Sequence, residues 1–501
     1  MTDILLVTLN ARWSHCAFGL RYLRANLGDL HDRSAIREFT ISDAPAVMVE
    51  KILAETPRIV GFGIYIWNLR ETTQVIQILK AVAPEIRIVI GGPEVSYQYD
   101  TEPVVALADV LITGEADLVF PGVCHDLLAG RPVARVIRAA KPDMAAVALP
   151  YGEYSDRDLA QRMVYVEASR GCPFTCEFCL SSVDNGVRAV PREAFLAALE
   201  DLLRRGCRTF KFVDRTFNLS PTTAIGILTF FLDRWVEGIF LHFELVPDRL
   251  PEELKTLLLR FPKGAVQFEI GIQSFTPEVG VNISRRMHRG RTEDNLRWLT
   301  AETGIHLHTD LIIGLPGETP ETFQQSFDDL WRLGPQEIQV GILKLLKGTP
   351  LGRHQEAYGM RYNREPPYDL LASRDFPFAQ MQRFKRFAKY FDLFVNHGIY
   401  PRSMALLIDH AGTPSPFAAL LAFSDWLWAT TGQDYALARS RQFELLLDYL
   451  AILGVPEALA IDTAAADAAV QPQGKGLPNR MHAAVERHRR QGAAAGIQNH
   501  A

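Results

Sequence analysis

Two separate runs of alternating strand-like and helix-like segments constrain this chain more than any other feature. In the first run, DILLVTL (3–9), AIREFTI (35–41), RIVGFGIYI (58–66), IRIVIGG (86–92) and DVLITG (109–114) read as strands. Amphipathic stretches such as AFGLRYLRANL (17–27) and RETTQVIQILKAV (70–82) lie between them. Near-continuous apolar strands joined by helices predict a parallel sheet covered on both faces. Residues 1–140 are therefore expected to form an α/β, doubly wound domain with ligands beyond the carboxyl ends of its strands.

The pattern then lapses, and residues 141–162, containing LPYGEYSDRDL, read as a linker. A second alternation fills 163–350. Its strand candidates are MVYVEAS (163–169), TFKFVD (209–214), FLHFELV (240–246), AVQFEIGI (265–272), HLHTDLIIG (306–314) and EIQVGILKL (337–345). Six β/α units predict a partial, open (β/α)6 barrel of TIM type, with chemistry at the carboxyl ends of the strands. Residues 351–470 show helical spacing only and are expected to form a helical domain that closes the barrel and shapes a substrate pocket. The small and polar residues of 471–501 predict a disordered tail.

The net charge of −5 gives no general pull toward nucleic acid or anionic membrane. No apolar run reaches spanning length, and MTDILLVTLNARW lacks the form of a secretion signal. A cytoplasmic protein with reduced thiols is the expectation.

Against that background, half of the six cysteines fall in GCPFTCEFC (171–179), as Cys172, Cys176 and Cys179. A structural zinc site needs four ligands, and neither a second knuckle nor a histidine at finger spacing is present. A disulfide would strand one thiol. Three thiolates can hold three irons of a four-iron cluster and leave the fourth open.

The C-x3-C-x2-C spacing, on the loop leaving the first strand of a six-unit barrel, resembles the radical S-adenosylmethionine (SAM) superfamily. The resemblance implies that Cys172, Cys176 and Cys179 ligate a 4Fe-4S cluster. Its open iron would chelate SAM, and one electron would cleave SAM to a 5′-deoxyadenosyl radical. It further implies SAM contacts from Phe178 beside the last cysteine and from Asp214 at the second strand end, where an acid suits an ammonium. Glu244 at the third strand end, and Gln273 and Ser274 after the fourth, are further SAM candidates. DLIIGLPGET resembles the adenine motif, with Ile312 and Gly314 as contacts. It departs from the pattern in Asp310, where glycine is common, and in Glu318, one residue late.

A flavodoxin-like domain ahead of such a barrel resembles the cobalamin-binding subgroup. Gly91 and Gly92 at the fourth strand end, and Gly114 and Glu115 at the fifth, match turns that the subgroup uses around cobalamin. The usual D-x-H-x-x-G loop is altered: NARWSHCAFG puts His15 four residues before Gly19, with Trp13 in the place of the acid. His15 is therefore a weak cobalt ligand, because the carboxylate that would orient it is missing. The lower face would fall to water or to Asn10, Arg12 or Ser14.

The resemblance implies a cobalamin-dependent radical SAM methyltransferase that methylates an unactivated carbon of a small molecule or natural product. A rearrangement without methyl transfer is the alternative, as is a first domain that has lost cobalamin. A methylthiotransferase would need a second cluster, for which Cys16 and Cys124 are one thiol too few. An electron donor such as flavodoxin or ferredoxin is the implied partner; nucleic acid is not.

Overall fold

In a computed structural model, residues 2–183, 186–471 and 476–498 are described, with side chains as far as 491. The first domain is a parallel sheet of β1 (Ile4–Asn10), β2 (Ser34–Thr40), β3 (Ile59–Gly63), β4 (Arg87–Gly91), β5 (Val110–Thr113) and β6 (Val136–Arg138). Its order, β2-β1-β3-β4-β5-β6, is the flavodoxin-like order extended by one edge strand. Every residue of β1 is buried, as a strand covered on both faces requires. The sixth strand is an addition to the five expected. Its three residues are exposed or half-buried, so it carries no hydrophobic signal and is held by backbone pairing to β5.

The barrel starts at β7 (Val164–Val166). A short antiparallel hairpin follows, β8 (Ser169–Cys172) with β9 (Gly186–Ala189). Then come β10 (Thr209–Phe212), β11 (Phe240–Glu244), β12 (Val266–Gln273), β13 (His306–Ile313) and β14 (Glu337–Ile342). The sheet order β14-β13-β12-β11-β10-β7 is all parallel, with β7 and β14 as its two edges. This is the open six-unit barrel that the alternation predicts.

Past residue 350 the chain is mostly helical. Phe384, Phe387 and Phe417 pack edge-on against Phe323 and Phe327 of the barrel helix Pro320–Arg332. The barrel and the C-terminal helices thus share one hydrophobic core.

The tail departs from expectation. Asn479–Met481 form a turn and His482–Gln498 a helix. Met481, Ala484 and Val485 are buried in the same core as Ala460, Ala464 and Ala468 of the preceding helix. Small side chains that look like linker composition are here the means of close helix approach. Residues 472–475 and 499–501 of that expected disordered tail lie outside the described residues.

Candidate active site between the domains

Two cavities adjoin at the carboxyl ends of the strands, the larger bordered by both domains and the smaller by the barrel alone. The larger, about 480 Å³, is bordered from the first domain by Gly19, Gly63, Gly91, Gly92, Gly114 and Glu115, and from the barrel by Arg170, Gly171 and Arg215. The smaller, about 140 Å³, is bordered by Cys172, Cys176, Cys179, Phe178, Glu244 and Gln273, with Arg215, Glu269, Arg285 and Asp310. Ser181 and Arg215 border both.

The cysteine loop is shaped by its own backbone. Gly171 has φ +101, and a Cβ there would stand 2.2 Å from the Gly186 oxygen, so the hairpin entry requires glycine. The Cys179 amide donates to the Cys176 carbonyl at 3.0 Å, and Ser182 returns both its amide and its hydroxyl to the Cys179 carbonyl. Glu177, the buried residue of the loop, binds Ser284 of the barrel and Arg353 and His354 of the segment after it, and anchors the loop to both. Among the described residues no three His, Cys, Asp or Glu converge on one point as ligands of a single ion do. The three thiols instead share one cavity wall, as ligands to separate irons of a cluster would. Burial pushes the Cys172 thiol up, opposed by hydrogen bonding from the Phe174 amide and the Thr216 side chain. Arg285 Nη1 lies 3.5 Å from Cys176 Sγ.

The charged lining of the rest of that cavity suits a zwitterionic cation such as SAM, of which a space of about 140 Å³ holds only a part. Glu244 and Asp310 are carboxyls whose pKa burial raises, and so gain from a cationic ligand. Gln273 sits at a bulge in β12 with φ +69, and its Oε1 is buried without a hydrogen-bond partner. Arg285 Nε is likewise buried and unpartnered. Strained backbone and orphaned polar atoms at one cavity mark a place built for a ligand.

Four SAM candidates lie elsewhere. The Asp214 carboxylate accepts the Ala168 amide at 2.9 Å and the Ser169 hydroxyl at 2.6 Å, and borders neither cavity. It braces the strand that leads into the cysteine loop. Ser274 is buried against Ser326 and caps the Thr276 amide. Ile312 packs against the core outside both cavities. Gly314 has φ +88, and a Cβ there would meet Leu370 Cδ2 at 2.4 Å, so this turn makes room for the C-terminal domain. No described residue after 350 borders either cavity, so that domain supports the site from behind, in place of the pocket-shaping role expected.

Behind the same turn, Glu318 is fully buried, and neither carboxyl oxygen has a hydrogen-bond partner. Ser274 and the Gly314 and Leu315 amides are near it without reaching bonding geometry. Burial pushes its pKa from 4.5 up to about 8. An acid that binds its proton more tightly when folded loses stability as pH rises between those two values. Glu318→Gln is therefore expected to flatten the fall in stability between pH 5 and pH 8, by an upper limit of about 3.5 kcal/mol. Denaturant midpoints of both proteins at the two pH values test this; equal pH slopes would refute it.

In the first domain, Gly91, Gly92 and Gly114 border the larger cavity as expected. At Gly92, φ is +114 and a Cβ would lie 2.4 Å from the Ile64 oxygen. Glycine backbone on one wall, with Tyr65 and Tyr97 beside it, forms a cradle suited to a broad macrocycle such as cobalamin. Glu115 borders it too, but its carboxylate is held by Arg170 and Arg188. Burial works against its charge, yet these two guanidiniums keep its pKa below the ordinary carboxylate range.

The loop after β1 does not reach the cavity. Asn10 donates to the His15 carbonyl at 2.9 Å, and Arg162 binds the Trp13 carbonyl at 2.9 Å and that of His15. Ser14 accepts the Met163 amide at 3.0 Å, and His15 Nδ1 meets the Tyr165 hydroxyl. Arg12 is exposed. Asn10, Arg12, Ser14 and His15 thus sit where the chain enters β7, at the opposite end of the strand from the cysteines. The cause is the buried ion network of Arg21, Glu38, Asp158 and Arg162, which ties this loop to the linker helix Asp156–Gln161. Cys16 and Cys124 are buried with thiols pushed up to about 12, which suits core packing and not ligation.

Comparison with known proteins agrees with this layout. Residues 166–330 match the model of the radical SAM superfamily, residues 4–123 that of the B12 binding domain, and residues 356–498 a domain of unknown function, DUF4080. The chain is a radical SAM protein with an N-terminal B12-binding domain. More narrowly, it carries the three domains in the order B12-binding, radical SAM and DUF4080.

An uncharacterized methyltransferase of Pyrococcus horikoshii is 25% identical over 360 residues, 66% of this chain and 77% of that protein. The 2-(S-pantetheinyl)-carbapenam-3-carboxylate methyltransferase of Streptantibioticus cattleyicolor is 26% identical over 350 residues, 61% of this chain. The chain spans half the length of that second relative. Among solved structures, the radical SAM methyltransferase TsrM of Kitasatospora setae aligns over 73% of this chain and 79% of its own (TM-score 0.59, 18% identity). The cobalamin-dependent radical enzyme OxsB aligns over 97% of this chain and 83% of its own (TM-score 0.61, 13% identity).

Proposed function

We propose that this protein is a cobalamin-dependent radical SAM methyltransferase that methylates an unactivated carbon of a small molecule. The observation that carries the reading is the junction of two cavities, one bordered by three cysteines and the other by the glycine cradle of the first domain. When bound, the cluster, SAM and cobalamin would supply one-electron cleavage of SAM and a transferable methyl group.

The chain's own residues would do the placing. Cys172, Cys176 and Cys179 would hold the cluster, and Glu244, Gln273, Asp310 and Arg285 would orient SAM above it. Phe178 would cover one face of SAM. The amides and carbonyls around Gly91, Gly92 and Gly114 would hold cobalamin by shape. Keeping water from the reacting carbon, which a radical reaction requires, would fall to the residues of both domains that border the two cavities. No described helix is long and apolar enough to cross a membrane, and the cysteines form no disulfide. Both fit a reducing compartment such as the cytoplasm, with flavodoxin or ferredoxin as electron donor.

The test is anaerobic purification with cobalamin, iron and sulfide supplied, followed by metal analysis and a SAM turnover assay. Bound cobalt with S-adenosylhomocysteine formed alongside 5′-deoxyadenosine is the expected result. Absence of cobalt refutes the methyltransferase reading, and deoxyadenosine alone in the presence of converted substrate refutes methyl transfer.

A further inference from the structure

We propose that Arg215 is the anion-recognition group of the substrate site, so that the molecule modified carries a carboxylate or phosphate close to its reacting carbon. This rests on reading the two cavities as the cobalamin and SAM sites, which leaves their junction for the substrate. Ser181 and Arg215 are the residues found on both walls.

Apart from Glu244, which faces Arg215, and the unpartnered Arg285 Nε, the other charged groups at these cavities have protein partners. Glu115, Asp117 and Glu167 share Arg170. Glu269 accepts from His242 at 2.9 Å and Lys211 at 3.3 Å, and Asp310 lies 3.3 Å from His308 Nε2. Arg285 donates to Cys176 Sγ and to the Gly271 carbonyl. Arg215 is different. Its nearest carboxylate, Glu244, stands 3.6 Å from Nη1, and among the described residues its guanidinium makes no hydrogen bond. Its side chain is 53% exposed, although the residue leaves a strand end deep between the domains. The exposure is to the cavities.

A guanidinium stays charged and offers a planar fork of N–H donors that matches the edge of a carboxylate or phosphate. Charge-assisted pairs of this kind fix orientation as well as position. An anionic group seated on Arg215 would pin the neighbouring carbon at the one place reached from both cavities. Glu244 aims the guanidinium without satisfying it.

The experiment uses the holoenzyme, reconstituted with cobalamin, iron and sulfide in the presence of SAM. Cobalt, iron and SAM loading are measured first. Sodium acetate, inorganic phosphate and neutral acetamide are then titrated at constant ionic strength. The readouts are the visible absorption of bound cobalamin and the rate of uncoupled 5′-deoxyadenosine formation. Acetate or phosphate is expected to act saturably and acetamide not at all; the tighter of the two anions identifies the substrate's charged group. Arg215→Met should load cofactors normally and raise the half-saturating anion concentration about tenfold or more, with Arg215→Lys between. The proposal is overturned if neither anion acts on the wild-type protein, or if Arg215→Met binds it equally well. Loss of SAM or cobalamin from Arg215→Met also overturns it, by assigning the residue to a cofactor. A wild-type protein that takes up no cobalt defeats the underlying functional reading, and this proposal with it, before any anion is added.

Discussion

Replacing Cys172, Cys176 and Cys179 together by alanine is expected to abolish iron and sulfide uptake and to reduce SAM cleavage to the buffer background. Cobalamin uptake should survive in the same protein. The reason is geometric: the three thiols border the smaller cavity and not the glycine cradle. Their removal costs little in folding, since each loses one sulfur from a loop held by Gly171, Ser182 and Glu177 through backbone and carboxylate bonds that remain. Iron and sulfide analysis, cobalt analysis and a SAM cleavage assay on one preparation check all three parts. A cluster that still assembles would remove the cysteines from the role given them. Cobalamin lost together with the cluster would show that the two cavities form one cooperative site.

This separation of effects also marks what the sequence can disclose. The strands are legible because Ile4–Leu9 and their counterparts are apolar on both faces, which few other arrangements tolerate. The edge strand Val136–Arg138 and the Ser169–Cys172 hairpin are not, because backbone pairing holds them and leaves no trace in side-chain polarity. The cysteine spacing is legible because ligand chemistry fixes residue type and interval together. Arg215, Arg285 and Arg170 escape notice for the opposite reason. A charged residue at a strand end has no distinctive pattern, and its role depends on which way the chain turns. Asp214 and Arg215 are adjacent, yet one faces the Ala168 amide and the other the cavities. The loop around His15 has suggestive composition, but an ion network formed with residues more than a hundred positions away draws it elsewhere.

Arg170→Met is expected to undo the join between the domains. Arg170 stands two residues before Cys172, and its Nη1 binds Glu115 at 2.8 Å and Asp117 at 3.0 Å, across the interface. Its Nη2 and Nε hold Glu167 at 2.7 and 3.1 Å, and its guanidinium lies 4.7 Å from the Tyr22 ring centre. One cation thus bridges three largely buried carboxylates, two from the first domain and one from the barrel. Methionine keeps much of the packing volume but leaves those carboxylates facing each other. Removing one partner from a buried ion group costs about 3–5 kcal/mol, because the remaining charges are stranded. Arg188 still binds Glu115, which places the effect toward the lower end of that range. Because Glu115 and Arg170 both border the larger cavity, the loss should appear as faster proteolysis in the 141–162 linker and as weaker cobalamin retention on gel filtration. Arg170→Lys restores charge without the fork and should recover only part of both. Proteolysis and cobalamin retention unchanged in Arg170→Met would mean that the domains are held by apolar packing alone.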